Sequence, residues 1–473
     1  MTRVPRPGDV GGGSRDGRQG GDEDGLAALV AEPDGRPELT GLEVLEPPAR
    51  PGLRARVAGS GTGQAAGLAG ATLANNALQL VFTILVTRML GSTDYGALAA
   101  LISAFLILLV GGQAVQAAAA REVALGRLGD AGDLHNTVRA WTRTMLIGAL
   151  ALTVVGIAVR GPLASLIGTP EHPWGAAAIL PTGALWLLIS LQRGVLLGVH
   201  AFRQVGVSIV AEAAARLLMG GTLAAVAGVT GAFLGAPLAF FAVAVGLVVA
   251  LDRRLGAPTR TARRRELRTL LSDGWVPIVG LSLLAVLQNV DVIVARHRLG
   301  EDRAGSYAVA AVAAKSVVWV AIGVGLQLLP QATRRAAAGQ DPRPILYRAL
   351  AVLTAVAAPA LLIFALVPDL LLRTAFGPDT VDAAGALIVL GLAMTLLAVS
   401  YLTVQYLLAL HVVSFLWVLG AIAAGEILVL FRAQVSITGF ASTVLATQAV
   451  AAVAVLVLAA RARPLSVRRP DRS

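Results

Sequence analysis

Twelve predominantly apolar stretches, each close to the ~20 residues with which an α-helix crosses ~30 Å of hydrocarbon, limit what this chain can fold into. They fall near 66–87, 97–119, 142–159, 174–197, 205–228, 231–251, 275–295, 305–329, 345–367, 383–407, 411–430 and 436–460. In a bilayer the backbone must satisfy its own hydrogen bonds, so such stretches become helices. With 56% of 473 residues hydrophobic and 14% charged, no soluble core could hide them.

The chain also repeats itself. Leu90-Gly91 followed by Gly96 recurs 209 positions later as Leu299-Gly300 followed by Gly305, each time between two apolar runs. The runs that precede the two copies start near Ala66 and Trp275, again 209 apart. Repetition of membrane segments is a transporter signature. Six spans per half bring both halves into the membrane from the same side, so the repeats are parallel. The expected fold class is all-α: a polytopic membrane protein of about twelve transmembrane helices in two six-helix lobes.

Residues 1–60 are rich in Gly, Pro, Arg, Asp and Glu and lack apolar periodicity, which predicts a disordered cytoplasmic tail. The remaining divisions are an N-terminal lobe over 61–252, a basic cytoplasmic inter-lobe loop over 253–274, a C-terminal lobe over 275–460 and a basic cytoplasmic tail over 461–473. The net charge of +11 is unevenly spread. Of 39 basic residues, 29 fall in segments on the N-terminal side of the membrane, seven on the other side and three within spans. That bias predicts both termini in the cytoplasm. The run Arg253-Arg254 through Arg260, Arg263-Arg264-Arg265 and Arg268 reads first as a topology determinant, and also as a grip on anionic lipid head groups.

A charge at the bilayer centre costs about 2.5–3.5 kcal/mol on insertion scales, so ionisable residues in mid-span are candidates for function. Arg216 and Lys315 lie deep in the fifth and eighth spans; Arg193 lies near the inner end of the fourth, close enough to snorkel. Glu212 stands one turn before Arg216, which predicts an ion pair on one helix face. Asp291 in the seventh span is a candidate partner for Lys315. Asn75, Asn76 and Gln79 form a polar face on the first span, Gln113 and Gln116 on the second, and Gln288 is the repeat counterpart of Gln79. Such amides serve either as interhelical glue or as the lining of a wet cleft. Glu426 is expected to reach interfacial water, and the Gly231–Gly235 spacing carries little weight in a chain with 52 glycines.

The absence of cysteine excludes disulfides, thiolate chemistry and Cys-ligated metals. There is no phosphate loop ending in Lys-Ser or Lys-Thr, no His-Glu-x-x-His and no Gly-x-Ser-x-Gly. Neither an enzyme, a cofactor, a metal nor a nucleic-acid partner is expected. Without an ATP-binding module on this chain, transport would run on an ion gradient, the membrane potential or the substrate's own gradient.

The polar first span from Asn75, running into Arg88-x-Leu90-Gly91 and Tyr95-Gly96, and Ala120-Arg121-Glu122-Val123-Ala124 at the end of the second span resemble the oligosaccharide and polysaccharide flippases of the multidrug/oligosaccharidyl-lipid/polysaccharide exporter superfamily. A weaker second copy at Asp291–Tyr307 extends the resemblance over roughly 66–460. It implies two six-helix bundles facing each other across a cavity in the bacterial plasma membrane. By alternating access they would move undecaprenyl-diphosphate-linked glycan from the inner to the outer leaflet. A diphosphate in a low-dielectric cavity needs cations, which Arg216, Lys315 and Arg193 can supply; the sugar needs the amides. The related drug exporters commonly carry an acidic coupling residue in the first span, and this chain has none there. The competing expectations are an ion-coupled multidrug antiporter and a non-transporting scaffold for glycan-assembly proteins.

Overall fold

The computed structural model describes residues 61–128, 131–255 and 275–462. The expected tail over 1–60, most of the basic inter-lobe loop and nearly all of the segment after 461 lie outside the described residues. The first half comprises α1 (Gly61–Ala124), α2 (Ala131–Ala158), α3 (Arg160–Ile167), α4 (Pro173–Ala177), α5 (Ile179–Gly198) and α6 (Phe202–Leu255). The second half comprises α7 (Trp275–Arg298), α8 (Glu301–Ala337), α9 (Arg343–Leu366), α10 (Pro368–Ala375), a 3-10 turn (Pro378–Ala383), α11 (Ala384–Ala409), α12 (Phe415–Leu430) and α13 (Ile437–Arg461). No strand occurs among the described residues.

Nine helical stretches among the described residues are long and apolar enough to cross a membrane. Two of them, α1 and α6, leave helical geometry at Gly91 and at Ala227–Gly228, and each therefore supplies two limbs. With the shorter apolar α12, the passes number the twelve that hydropathy predicts. The boundaries differ where polar residues extend a helix beyond its apolar run. α2 starts about ten residues before the predicted 142, because its first turns carry His135, Arg139 and Arg143, and α8 runs on to Ala337.

The repeat is written in the backbone. Gly91 (φ 80°, ψ 173°) and Gly300 (φ 77°, ψ 166°) turn the chain identically between the first and second passes of each half. This left-sided φ is open to glycine and strained for residues with a Cβ. The eight-residue helices α3 and α10 also correspond, each followed by a positive-φ glycine, Gly168 and Gly377, in the same 209-residue register. Near the same register, His200 and His411 both adopt positive φ where α5 and α11 end.

The outside is apolar and the inside is tightly packed. Val226 is 86% exposed and Trp417 85%, part of a surface that only lipid can cover at low cost. Within the first half, Phe240 packs 5.8 Å from Phe105 and 5.7 Å from Trp186, whose indole N–H donates to Leu109 O at 2.8 Å. Gly231 and Gly235 matter more than their frequency suggested. A Cβ on Gly235 would collide with the backbone of Gly220, and one on Gly231 with Leu223 O, so this spacing lets the two limbs of α6 touch.

Candidate functional site

In the first half, the buried polar centre joins α5 to α6. Arg193 Nη2 lies 2.8 Å from Glu212 Oε2, and the same guanidinium donates to Ser208 Oγ and Ser208 O, both at 2.9 Å. Arg193 is 3% exposed and Glu212 6%. Two expectations are corrected here. Arg193 does not snorkel, because its fork is fully engaged between two helices. Glu212 forms its ion pair with Arg193 rather than Arg216: i, i+4 spacing makes residues neighbours on one helix, but the adjacent helix offers a closer cation.

Arg216 is left without a hydrogen-bonded carboxylate among the described residues. Its Cζ lies 5.9 Å from the Phe82 ring centroid, a cation–π distance. A half-buried guanidinium against an aromatic face in an apolar lobe can attract an anion.

The second half holds a more acidic centre. Asp291 does not pair with Lys315: Tyr307 Oη donates to Asp291 Oδ2 at 2.7 Å, while Lys315 Nζ donates to Asn289 Oδ1 at 3.1 Å. Positions 289 and 291 project to different sides of α7, so the two partnerships separate. Glu426 does not reach interfacial water; it is fully buried and accepts from Thr447 Oγ1 at 3.1 Å and Gln448 Nε2 at 3.2 Å. Gln448 Nε2 also donates to Leu287 O at 2.9 Å, tying α12 and α13 to α7. Asp291 Oδ1, Glu426 Oε2 and Gln448 Oε1 have no protein partner. A buried cluster with two carboxyls and unpartnered oxygens can take up a proton or a small cation. In the sequence, Tyr307, Thr447 and Gln448 look like ordinary span residues, and Glu426 lies near the end of an apolar run that suggests interfacial water, whereas the end of the short α12 is packed against α7 and α13.

The amides are less concentrated. Asn75 Nδ2 donates to Asn76 Oδ1 at 3.2 Å; Gln79, Gln116 and Gln288 are half-buried and Gln113 is exposed. They decorate the two limbs of α1 and α7. None lines either of the two cavities described below.

The halves meet at the end where both repeat glycines lie. Thr93 Oγ1 donates to Asp302 Oδ1 at 2.6 Å, and these two residues are themselves repeat counterparts. A Cβ on Gly96 would stand 2.7 Å from Gly305 Cα, and one on Gly305 would overlap Ser92 O. The buried Arg296 guanidinium donates to Gly168 O at 3.2 Å, Glu171 Oε1 at 2.8 Å and Thr93 O at 3.4 Å; His297 Nε2 lies 3.0 Å from Ser165 O. Arg88 donates to the carbonyls of Thr374 and Ala375 beside a cavity of about 320 Å³ that Arg373 and Asp379 help to line. Partial burial pushes the Glu171 carboxyl up, but bonds from its own backbone N–H and from Arg296, with the Arg296 charge, outweigh it and hold the group below the usual value. This end is closed by polar links between halves and by a glycine-on-glycine contact that no side chain could enter.

The second cavity, about 510 Å³, lies between the two limbs of α6. Arg203, Gln204, Val207, Ser208, Ala211 and Ala215 form one wall, and Ala242, Val243, Gly246, Leu247 and Ala250 the other.

Twelve passes in two repeated halves, with buried charges in each, define a multi-pass membrane protein with the fold of transporters of the MOP superfamily. An inward-facing multidrug resistance MATE family transporter of that superfamily aligns with TM-score 0.68 at 13% identity, over 82% of this chain and 94% of its own. The lipid II flippase MurJ in an inward closed conformation aligns with TM-score 0.65 at 13% identity, over 83% of this chain and 87% of its own. An outward-facing MATE family transporter aligns with TM-score 0.55 at 15% identity, over 85% and 96%. No curated protein matches the chain. Residues 64–324, more than half of the sequence, match the family described as polysaccharide biosynthesis protein, and the chain belongs to that family.

Proposed function

We propose that this protein flips a lipid-linked oligosaccharide, carried on undecaprenyl diphosphate, across a bacterial plasma membrane by alternating access, for polysaccharide biosynthesis. The observation that carries the proposal is a pair of intramembrane cations, one in each half and neither hydrogen-bonded to a carboxylate among the described residues: Arg216 against Phe82, and Lys315 held by the neutral Asn289. A diphosphate is the kind of charge that such cations repay in a low-dielectric interior. Membership of the polysaccharide biosynthesis family and likeness to a lipid II flippase support the same substrate class. The amides at Asn75, Asn76, Gln79, Gln113, Gln116 and Gln288 would serve the sugars, while Arg193 and Glu212 hold α5 to α6. With both termini in the cytoplasm, as the charge bias supports, the glycine seam would close the outer side.

A second reading, an ion-coupled antiporter, draws on one specific observation: the buried Asp291–Tyr307–Glu426–Gln448 cluster, which suits a coupling ion. The two readings combine if the cluster drives the flipping. The test is the lipid-linked glycan pool of a deletion strain complemented with Arg216→Ala or Lys315→Ala. Undecaprenyl-diphosphate glycan should accumulate in both while the protein still inserts; normal surface polymer with both variants would refute the site.

A further inference from the structure

The 510 Å³ groove between the limbs of α6 is not used by the function proposed above. Its walls are Ala211, Ala215, Ala242, Gly246 and Ala250 with Val207, Val243 and Leu247, so small apolar side chains line most of the groove. Val207 is 61% exposed, and Phe241, Val245 and Val249 beside it are 52%, 50% and 44% exposed. An apolar rim of this kind is one that lipid covers at low cost. A Cβ on Gly246 would meet nothing within 4 Å.

One end of the slot is strongly basic. Arg203 lines it, and Gln204 beside Arg203 accepts from Arg254 Nε and Nη2 at 3.1 and 3.2 Å once its amide is oriented to donate to Ala201 O at 3.0 Å. Two guanidiniums are thus placed at the mouth, on the side that the charge bias assigns to the cytoplasm. Guanidiniums favour phosphate oxygens, which they bind in a bidentate manner.

We propose that this groove binds an anionic glycerophospholipid of the inner leaflet, with one acyl chain between the limbs of α6 and the phosphate against Arg203 and Arg254. The slot offers little to a glycan carrier's sugars: most of its wall is apolar, and the Gln204 amide is taken up by Ala201 O and Arg254. Its hydroxyl, Ser208 Oγ, already donates to Val205 O at 2.7 Å and accepts from Arg193 Nε at 2.9 Å. Because Ser208 also holds Arg193, the lipid packs against the outside of the buried ion pair and supports the spacing of α5 and α6.

The test is native mass spectrometry of the purified full chain in detergent with added phosphatidylglycerol, phosphatidylethanolamine or undecaprenyl phosphate. Phosphatidylglycerol should be retained at least tenfold more strongly than phosphatidylethanolamine. The double variant Arg203→Ala/Arg254→Ala should lose that preference, and Gly246→Leu, whose Cβ enters open space, should lose the lipid itself. Arg216→Ala should bind as the native chain does. Equal retention of the two phospholipids, or unchanged binding by Gly246→Leu, would overturn the site. Displacement of phosphatidylglycerol by equimolar undecaprenyl phosphate would overturn the occupant.

Discussion

Arg193 and Arg216 are both guanidiniums in the interior of the first half, yet their partners give them opposite roles. Removing one member of a buried ion pair leaves an uncompensated charge, at a cost of about 3–5 kcal/mol, whereas replacing both members with apolar groups is often neutral. Glu212→Gln is therefore expected to lower thermal stability sharply, and Arg193→Met/Glu212→Leu much less. Arg216→Gln removes a charge that has no carboxylate to satisfy, so stability should hold while transport fails. Thermal unfolding in detergent, beside a glycan-export assay, separates these outcomes; a Glu212→Gln protein as stable as Arg216→Gln would deny the pair its structural role. Sequence spacing located the charges but mispaired them. An i, i+4 pattern reports only neighbours on one helix, while Arg193 lies on another helix that sequence cannot place beside Glu212. Asp291 and Lys315 failed for the same reason, since hydroxyl and amide partners from neighbouring turns and helices intervene.

At the scale of elements, the repeated turn does two things with one motif. Gly91 and Gly300 supply the left-sided backbone that ends the first pass of each half, and Gly96 and Gly305, one turn later, let the two second passes touch. The first role could be read from the repeated Leu-Gly spacing; the second could not, because nothing in a sequence says that two copies of a motif face each other. Gly305→Val should wedge Ser92 away and part the seam without altering insertion. With no native cysteine, the background for thiol labelling is clean. A cysteine at Thr93 should react slowly with a membrane-impermeant maleimide in the native chain and severalfold faster beside Gly305→Val; equal rates would mean that the glycines do not hold the seam.

The same seam should respond to acid. The folded Glu171 carboxyl titrates below its unfolded value, so its contribution is present above the ordinary carboxylate pKa of about 4.3 and is lost as pH falls through the lower folded value. Labelling of Thr93→Cys, taken at each pH as a ratio to a fully exposed reference thiol because only the thiolate reacts, is expected to rise in that acid range. Glu171→Gln should make that ratio high and independent of pH there, and persistence of the acid response in that variant would place the titrating group elsewhere.

For the whole molecule, twelve apolar runs and one 209-residue offset made the architecture legible, because a bilayer leaves the backbone few alternatives. The division of labour between halves was not legible, since it depends on which buried groups are left unpartnered. The first half pairs Glu212 with Arg193 and keeps the Arg216 guanidinium; the second gathers Asp291 and Glu426 around Tyr307 and Gln448 and, among the described residues, neutralises neither with a cation at hydrogen-bond distance. Under the proposed function, the anionic substrate is met by Arg216 in the first half and Lys315 in the second, and a coupling proton or cation by the acidic cluster. If flipping is coupled in this way, Glu426→Gln should insert normally and still bind the lipid-linked glycan, because Arg216 and Lys315 are untouched. Net flipping in proteoliposomes should nevertheless lose its response to an imposed proton or sodium gradient. A variant that remained gradient-driven would make the acidic cluster structural and leave the substrate's own gradient, or the membrane potential acting on its charge, as the driving force.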